Sequence, residues 1–196
     1  MLAHGIPDPV LGAQVTFRAV MNATARPGSI QEILTVATAP KPLSPGAAAV
    51  ALTLCDYETP VWLDRALVEA NEVGRWITFH TGAPISSSMR DAAFAFVSDP
   101  LLMPGLDAFA LGMPDYPDRS STIVVQVESF SSGEELLLAG PGIAKIRKFS
   151  ASPSPVDFRH QLQANHSLFP RGVDCLFVTD VEIAAIPRST RVIEGE

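Results

Sequence analysis

The sequence predicts an α/β sandwich built on a mixed sheet. Short apolar runs without polar alternation read as strands buried on both faces, and segments with apolar residues at helical spacing interleave with them. No repeat and no long linker divides the 196 residues, so one domain spanning 1–196 with one substantial core is expected.

Phe17, Val20, Met21 and Thr24 fall at i, i+3, i+4 and i+7 and predict one apolar helical face, ended by Arg26-Pro27-Gly28. After a proline-rich loop, the apolar run Ala47–Cys55 reads as a doubly buried strand, followed by the turn Asp56-Tyr57-Glu58-Thr59-Pro60. Leu63 to Val73 reads as a helix, and Trp76-Ile77-Thr78-Phe79-His80 as a strand ending at Thr81-Gly82-Ala83-Pro84. Ala92–Val97 is another apolar strand, closed by Ser98-Asp99-Pro100.

Thr122 to Phe130 begins as a solid apolar run and then alternates through Gln126, Val127 and Glu128, as a strand leaving the centre of a sheet for its edge would. Glu135 to Ala139 is expected to pair with it as a hairpin across Ser131-Ser132-Gly133-Glu134. A helix is expected from Ser154, with Pro155 at its first position and Asp157 three residues after the cap. Phe158, Leu162 and Phe169 would line its apolar face, and Pro170 would stop it. Val173–Val178 and Glu182–Ile186 read as the last strands.

Composition narrows the function classes. With 14 Lys+Arg against 21 Asp+Glu the net charge is -7, which argues against general nucleic-acid binding while leaving room for a local basic pocket. Charged residues make up only 18% of the chain, against roughly a quarter in an average domain, so much of the surface is expected to meet other subunits. Cys55 and Cys175 lie far apart inside apolar runs, the setting of buried reduced thiols. Met1 to Val10 lacks the basic start and apolar stretch of a signal peptide. The longest apolar run, Ala47 to Leu54, is far short of the roughly 20 residues a membrane helix needs. A soluble cytoplasmic protein that binds neither nucleic acid nor membrane is expected.

The phosphate loop G-x-x-x-x-G-K-[ST], the nucleophile elbow G-x-S-x-G and the zinc motif H-E-x-x-H do not occur, and no catalytic residue is assigned. Gly140-Pro141-Gly142 reads as a tight turn, not a dinucleotide fingerprint, because Lys145 stands where the third glycine belongs. His160 and His166 share a helix but sit about 120° apart around it, so they cannot hold one ion together. Asp56, Asp99 and Asp180 follow buried strands, at the edge where open α/β sheets gather ligands. They suit an acidic metal site, but turns and helix caps are the commoner use of such aspartates, and no metal ligand is assigned.

The arginines carry more information. Arg26, Arg119, Arg171 and Arg188 all stand at turns beside proline or glycine. A proline-stiffened loop fixes the direction of a guanidinium, whose planar fork matches phosphate or carboxylate. Arg26, Arg119 and Arg171, with Asp118 beside Arg119 in Tyr116-Pro117-Asp118-Arg119-Ser120, are therefore candidate anion-binding residues. The competing use is local: a helix C-terminus for Arg26, neighbouring carboxylates for the others, and backbone hydrogen bonds for Asp118.

Six segments occur in a recognisable order. They are Phe17-Arg18-Ala19 through Ala25-Arg26-Pro27-Gly28, Thr59-Pro60-Val61-Trp62-Leu63, Phe79-His80-Thr81-Gly82, Pro114-Asp115-Tyr116-Pro117-Asp118-Arg119-Ser120, Leu138-Ala139-Gly140-Pro141-Gly142-Ile143 and Phe169-Pro170-Arg171-Gly172-Val173-Asp174. Together, from about Phe17 to Val192, they resemble the H-subunit family of the carbon–phosphorus lyase complex of bacterial phosphonate catabolism.

The resemblance implies a three-layer α/β/α-type sandwich similar to the large domain of pyridoxal-phosphate-dependent transferases, without the cofactor site. It also implies a homodimer that joins the G, I and J subunits in a core complex. That complex takes part in making a ribose 1-phosphonate 5-triphosphate from ATP and a phosphonate. No catalytic residue is carried over. A Schiff-base lysine would have to be Lys41, Lys145 or Lys148, and none follows a buried strand as a cofactor lysine would, so no cofactor is expected. The leading expectation is a non-catalytic subunit that holds a phosphorylated small molecule. The alternative is a stand-alone phosphohydrolase or phosphotransfer enzyme using the strand-end aspartates and the arginine loops, and a pyridoxal-dependent transferase is disfavoured by the lysines.

Overall fold

The computed structural model describes residues 9–34 and 38–194; most of the segment Met1 to Val10 lies outside the described residues. The chain is mixed α/β. Its main sheet has seven strands: β1 (Gln31–Glu32), β2 (Val61–Leu63), β3 (Ile85–Ser86), β4 (Phe94–Val97), β5 (Thr122–Gln126), β8 (Asp174–Val178) and β9 (Glu182–Ile186). Their order is β1-β9-β8-β5-β4-β2-β3; the neighbouring pairs from β3 to β8 are parallel, and β9 runs antiparallel to both of its neighbours, β8 and β1. A second sheet has three strands in the order β10-β6-β7, from β6 (Leu136–Ala139), β7 (Arg147–Phe149) and β10 (Arg191–Ile193).

Alternation along the central strands divides the core. Val61, Leu63, Phe96, Val124, Leu176 and Val178 point to one face, where α1 (Pro9–Ala25), α2 (Pro45–Leu54), α3 (Arg65–Glu69) and α4 (Glu72–Thr81) pack. Ala95, Val97, Ile123, Val125, Cys175 and Phe177 point to the other, covered by α5 (Phe158–Ser167) and the second sheet through Leu136, Leu138, Phe149, Phe158 and Val192.

Several sequence expectations are corrected. Ala47–Cys55 is the helix α2, not a strand. Pro45 starts it, the Ser44 side chain accepts from the Ala47 amide at 3.1 Å, and Gly46 to Ala51 are all buried. A helix buried all round shows no alternation, and alanine has the highest helix propensity, so the apolar run misleads about the element while being right about burial. Trp76 to His80 likewise belongs to α4, not to a strand. Val73, Trp76 and Ile77 are its buried face, the His80 ring packs at a tilt against Trp76 with centroids 4.7 Å apart, and Gly82 caps it in the left-handed region at φ 78°. The expected helix from Leu63 to Val73 is divided among the end of β2, α3 and the start of α4.

The α1 helix ends where expected, but its buried side is Thr16, Ala19, Val20 and Ala23, while Phe17 and Met21 remain 49% and 54% exposed. Small side chains let α1 come close to α2 and β9, and the larger ones face outward. Strand β5 lies in the middle of the sheet, not on its way to an edge. Its polar residue Gln126 is buried because its amide accepts from the Ser44 amide and donates to the Pro42 carbonyl at 3.1 Å. The expected hairpin does not form: β6 pairs with β7 and β10 instead. Helix α5 begins at Phe158, later than expected, with Asp157 as its N-cap in the left-handed region; Phe169 is 58% exposed, and β10 is a strand beyond the expected last one.

Cys55 and Cys175 are buried free thiols. Burial, with Asp56 adding to it, pushes the Cys55 thiol up to about 12, and burial raises Cys175 as well. The folded protein thus keeps thiol protons that the unfolded chain loses above the ordinary value of 9.0, and stability falls as pH rises beyond it. Neither thiol should react with an aromatic disulfide reagent at about pH 8 until denaturant is added, when both should. A fast-reacting thiol in the native protein would contradict this packing. The approach of α2 to the sheet gives a second test. A Cβ on Gly46 would lie 2.0 Å from the Thr179 carbonyl oxygen, so Gly46→Ala should cost about 3 kcal/mol in denaturant unfolding.

Candidate functional site

The N-terminal edge of the parallel strands carries the candidate residues. Residues 110–121 cross it as a hairpin-like loop: Leu111 and Ser120 form an antiparallel bridge, and Met113 and Tyr116 exchange backbone hydrogen bonds of 3.1 Å each. The Ser121 amide donates to the Ala110 carbonyl at 2.8 Å, and the Ser121 hydroxyl donates to the Ala92 carbonyl at 2.6 Å, tying the loop to the start of β4.

Arg188 holds the loop from below. Its Nη2 donates to Asp174 Oδ2 at 2.6 Å, its Nε to Oδ1 at 3.2 Å, and its Nη1 to the Pro117 carbonyl at 2.6 Å. The Arg188 amide adds a bond to Asp174 Oδ1 at 2.8 Å. Side-chain exposures of 16% and 27% make this a partly desolvated, bidentate pair. Of the four turn arginines, Arg188 is thus the structural one, and local pairing accounts for it fully.

The other candidates separate. Arg119 is exposed and lies over the Tyr116 ring, 4.3 Å from its centroid, with no carboxylate partner among the described residues. Asp118 beside it is exposed, and among the described residues its carboxylate accepts none of the hydrogen bonds expected of a turn aspartate. Both line a pocket of about 250 Å³ with Arg90, Asp91 and Ser120. Arg171 stands half-buried in the turn before β8, which reaches the loop through the Gly172 amide and the Leu111 carbonyl at 2.9 Å, but Arg171 does not line that pocket. Arg26 is exposed at the end of α1 and does not line it either. Of these candidates only Asp118 and Arg119 share the pocket, and the second arginine there is Arg90.

The aspartates proposed for a metal are dispersed. Asp56 follows α2 and precedes β2, so it lies at the edge opposite to Asp99 and Asp180, which follow β4 and β8. Asp56 accepts from the Glu58 amide at 2.9 Å, and Asp99 caps a short 3-10 turn through the Leu101 amide at 3.0 Å. No group of three metal-ligating side chains gathers among the described residues. His160 is exposed and pairs with Asp157, which holds its pKa above 6.5 through a hydrogen bond and charge attraction; His166 faces the Arg188 carbonyl at 3.1 Å. The Gly140 turn closes with the Ile143 amide donating to the Gly140 carbonyl at 3.1 Å, as a tight turn should.

Two residues escaped the sequence reading. Asp64 is buried at the end of β2 and accepts from the Leu67 amide at 3.0 Å, the Ser98 amide at 2.6 Å, the Ser98 hydroxyl at 2.8 Å and the Asp99 amide at 3.2 Å. It caps α3 and clamps the end of β4; its place three residues before Leu67 was the available signal. Arg90, in Ser88-Met89-Arg90-Asp91, belongs to no pattern, and only folding brings it to Arg119.

Fold and site together define an α/β sandwich protein whose marked polar feature is an arginine-lined pocket at the strand N-termini. The chain belongs to the PhnH family of bacterial phosphonate metabolism proteins, whose model matches residues 4–193. It is 42% identical over 185 residues, 94% of this chain and 92% of the relative, to the PhnH subunit of alpha-D-ribose 1-methylphosphonate 5-triphosphate synthase from Rhizobium meliloti (strain 1021). It is also 33% identical over 82 residues, 42% of each chain, to HtxG of Stutzerimonas stutzeri, described as a candidate C-P lyase subunit.

Truncating Arg188 leaves Asp174 without its partner in a partly buried site and releases Pro117. Arg188→Ala should therefore lower stability by about 3 kcal/mol and raise amide exchange through residues 113–120. Unchanged exchange there would mean that the loop holds itself.

Proposed function

We propose that this chain is a non-catalytic subunit of the carbon–phosphorus lyase core complex, taking part in the synthesis of a ribose 1-phosphonate 5-triphosphate from ATP and a phosphonate. The observation that carries this is the 42% identity along 94% of the chain to a subunit of that synthase. The partners are a second copy of the chain and the G, I and J subunits, in the cytoplasm, and 1–196 acts as a single domain. No helix among the described residues is long and apolar enough to cross a membrane.

Exposed apolar side chains on a surface with few charges favour assembly. Phe17 and Met21 on α1, Phe79 on α4 and Leu102 after β4 are all at least 49% exposed. The likeness to the large domain of pyridoxal-dependent transferases, without its cofactor, fits the lysines: Lys41 stands in an exposed loop, Lys145 in an exposed turn, and Lys148 pairs with Glu135 at 3.1 Å on β7 of the small sheet. None follows a strand of the main sheet. A stand-alone phosphohydrolase would need the strand-end aspartates and the arginines at one place, and Asp56 lies at the opposite edge from Asp99 and Asp180.

Arg119 and Asp118, with Arg26 and Arg171 as separate outlying candidates, serve a phosphorylated ligand or the assembly itself. Tagged protein from phosphate-starved cells should bring down the G, I and J subunits, and sedimentation should give about twice the chain mass of 20.9 kDa. Arg119→Ala should stay folded and dimeric while weakening assembly or ligand binding roughly tenfold. Recovery of unrelated proteins alone, or a mass near 20.9 kDa, would count against the subunit reading.

A further inference from the structure

The remaining concavities carry less. The groove along α5 holds His160 and Asp157 already paired with each other. The hollow beyond the ends of β5 and β8 presents the carboxylates of Glu128, Asp180 and Glu182 without any further sign of a ligand. The pocket at the starts of β2, β4 and β5 is different, because it brings two arginines without ion-pair partners among the described residues to one buried hydroxyl, beside two carboxylates.

Several of its carbonyl groups are already used. Pro60 accepts from the Ala93 amide at 2.8 Å, Ala93 accepts from the Thr122 amide at 2.9 Å, and Ala110 accepts from the Ser121 amide at 2.8 Å. The Arg90 guanidinium has a single partner, the Asp107 carbonyl, at a long 3.3 Å from Nη2. Arg119 gives one face to the Tyr116 ring, which leaves its N–H edge free. Neither arginine forms an ion pair among the described residues, although both share the pocket. The Ser120 hydroxyl oxygen is buried there and has no hydrogen-bond partner.

We propose that Arg90, Arg119 and Ser120 form a binding site for one tetrahedral oxyanion, a phosphate or phosphonate group. Two planar forks and a hydroxyl match the several oxygens of such a group. The volume of about 250 Å³ takes a single phosphoryl or phosphonyl group with a short organic substituent. It falls below the roughly 300–1,000 Å³ of pockets that enclose larger organic ligands, so it does not enclose a whole nucleotide. Asp91 and Asp118 line the same pocket and oppose an anion, so they temper its affinity. The proposal rests on the reading of Arg119 as an anion-binding residue, and it adds the second arginine, the hydroxyl and the size of the ligand.

Calorimetric titration of the full chain at low ionic strength, with methylphosphonate and with inorganic phosphate as separate probes, tests the site. At least one of the two should bind, one per chain, with acetate failing to compete. Arg90→Gln and Arg119→Gln should each weaken binding roughly tenfold, with circular dichroism unchanged. Asp118→Asn should tighten it severalfold by removing a like charge. Binding by Arg90→Gln equal to the parent, weaker binding by Asp118→Asn, or binding of ATP alone would each overturn the proposal. Its failure is separable from failure of the subunit reading: a parent protein that recovers its partners but binds neither probe loses only this site, and one that binds methylphosphonate without partners keeps it.

Discussion

The fold depends on how closely α2 approaches the sheet. Six consecutive residues, Gly46 to Ala51, are buried, and Gly46 sits against the Thr179 backbone at the turn between β8 and β9, where no larger residue fits. The small side chains of Gly46 to Ala51 and of Ala19 and Ala23 on α1 let two helices pack over the same strands. Gln126 then fastens the entry of α2 to the end of β5 with both atoms of its amide. A buried amide with neither bond would cost about 1–3 kcal/mol for each unmet group, so its presence in mid-sheet identifies where the helix must start. The position of α2 over the sheet and the direction of the loop before it follow from this contact.

On the opposite face the same economy of contacts is achieved with larger residues. Phe149 and Phe158 meet Phe177 in tilted and edge-to-face contacts with ring centroids 5.4 and 5.6 Å apart, joining the second sheet, α5 and the main sheet in one cluster. Asn165 ties α5 to the start of β8 by donating to the Val173 carbonyl and accepting from the Val173 amide, both at 2.9 Å. These contacts hold the N-terminal ends of β5 and β8 rigidly, and the Asp174–Arg188 pair extends that rigidity to the 110–121 loop. The exposed Arg119 of the loop is therefore carried on a braced frame, which is what precise recognition of a small anion or a partner requires.

Open α/β sheets usually place ligands at the C-terminal ends of their parallel strands. Here that edge is occupied by turn and capping chemistry around Asp64, Asp99 and Thr179 and bears carboxylates, whereas the arginine pocket lies at the N-terminal ends.

What the sequence determined by itself follows from local physics. Residue spacing and turn chemistry located the end of α1 at Arg26-Pro27-Gly28 and the strands β4, β8 and β9, and the burial of both cysteines was legible in the apolar runs around them. The ordered motifs along the chain were enough to recognise the family. The tertiary structure alone decided that Ala47–Cys55 is a helix and that Phe17 and Met21 face outward, because a segment's burial depends on what packs against it, and an apolar run carries no period when every side is covered. It alone also brought Arg90 beside Arg119 and gave Arg188 to Asp174. The first pair is 29 residues apart and the second is joined through β8, the turn after it and β9, and such proximity leaves no mark in local spacing.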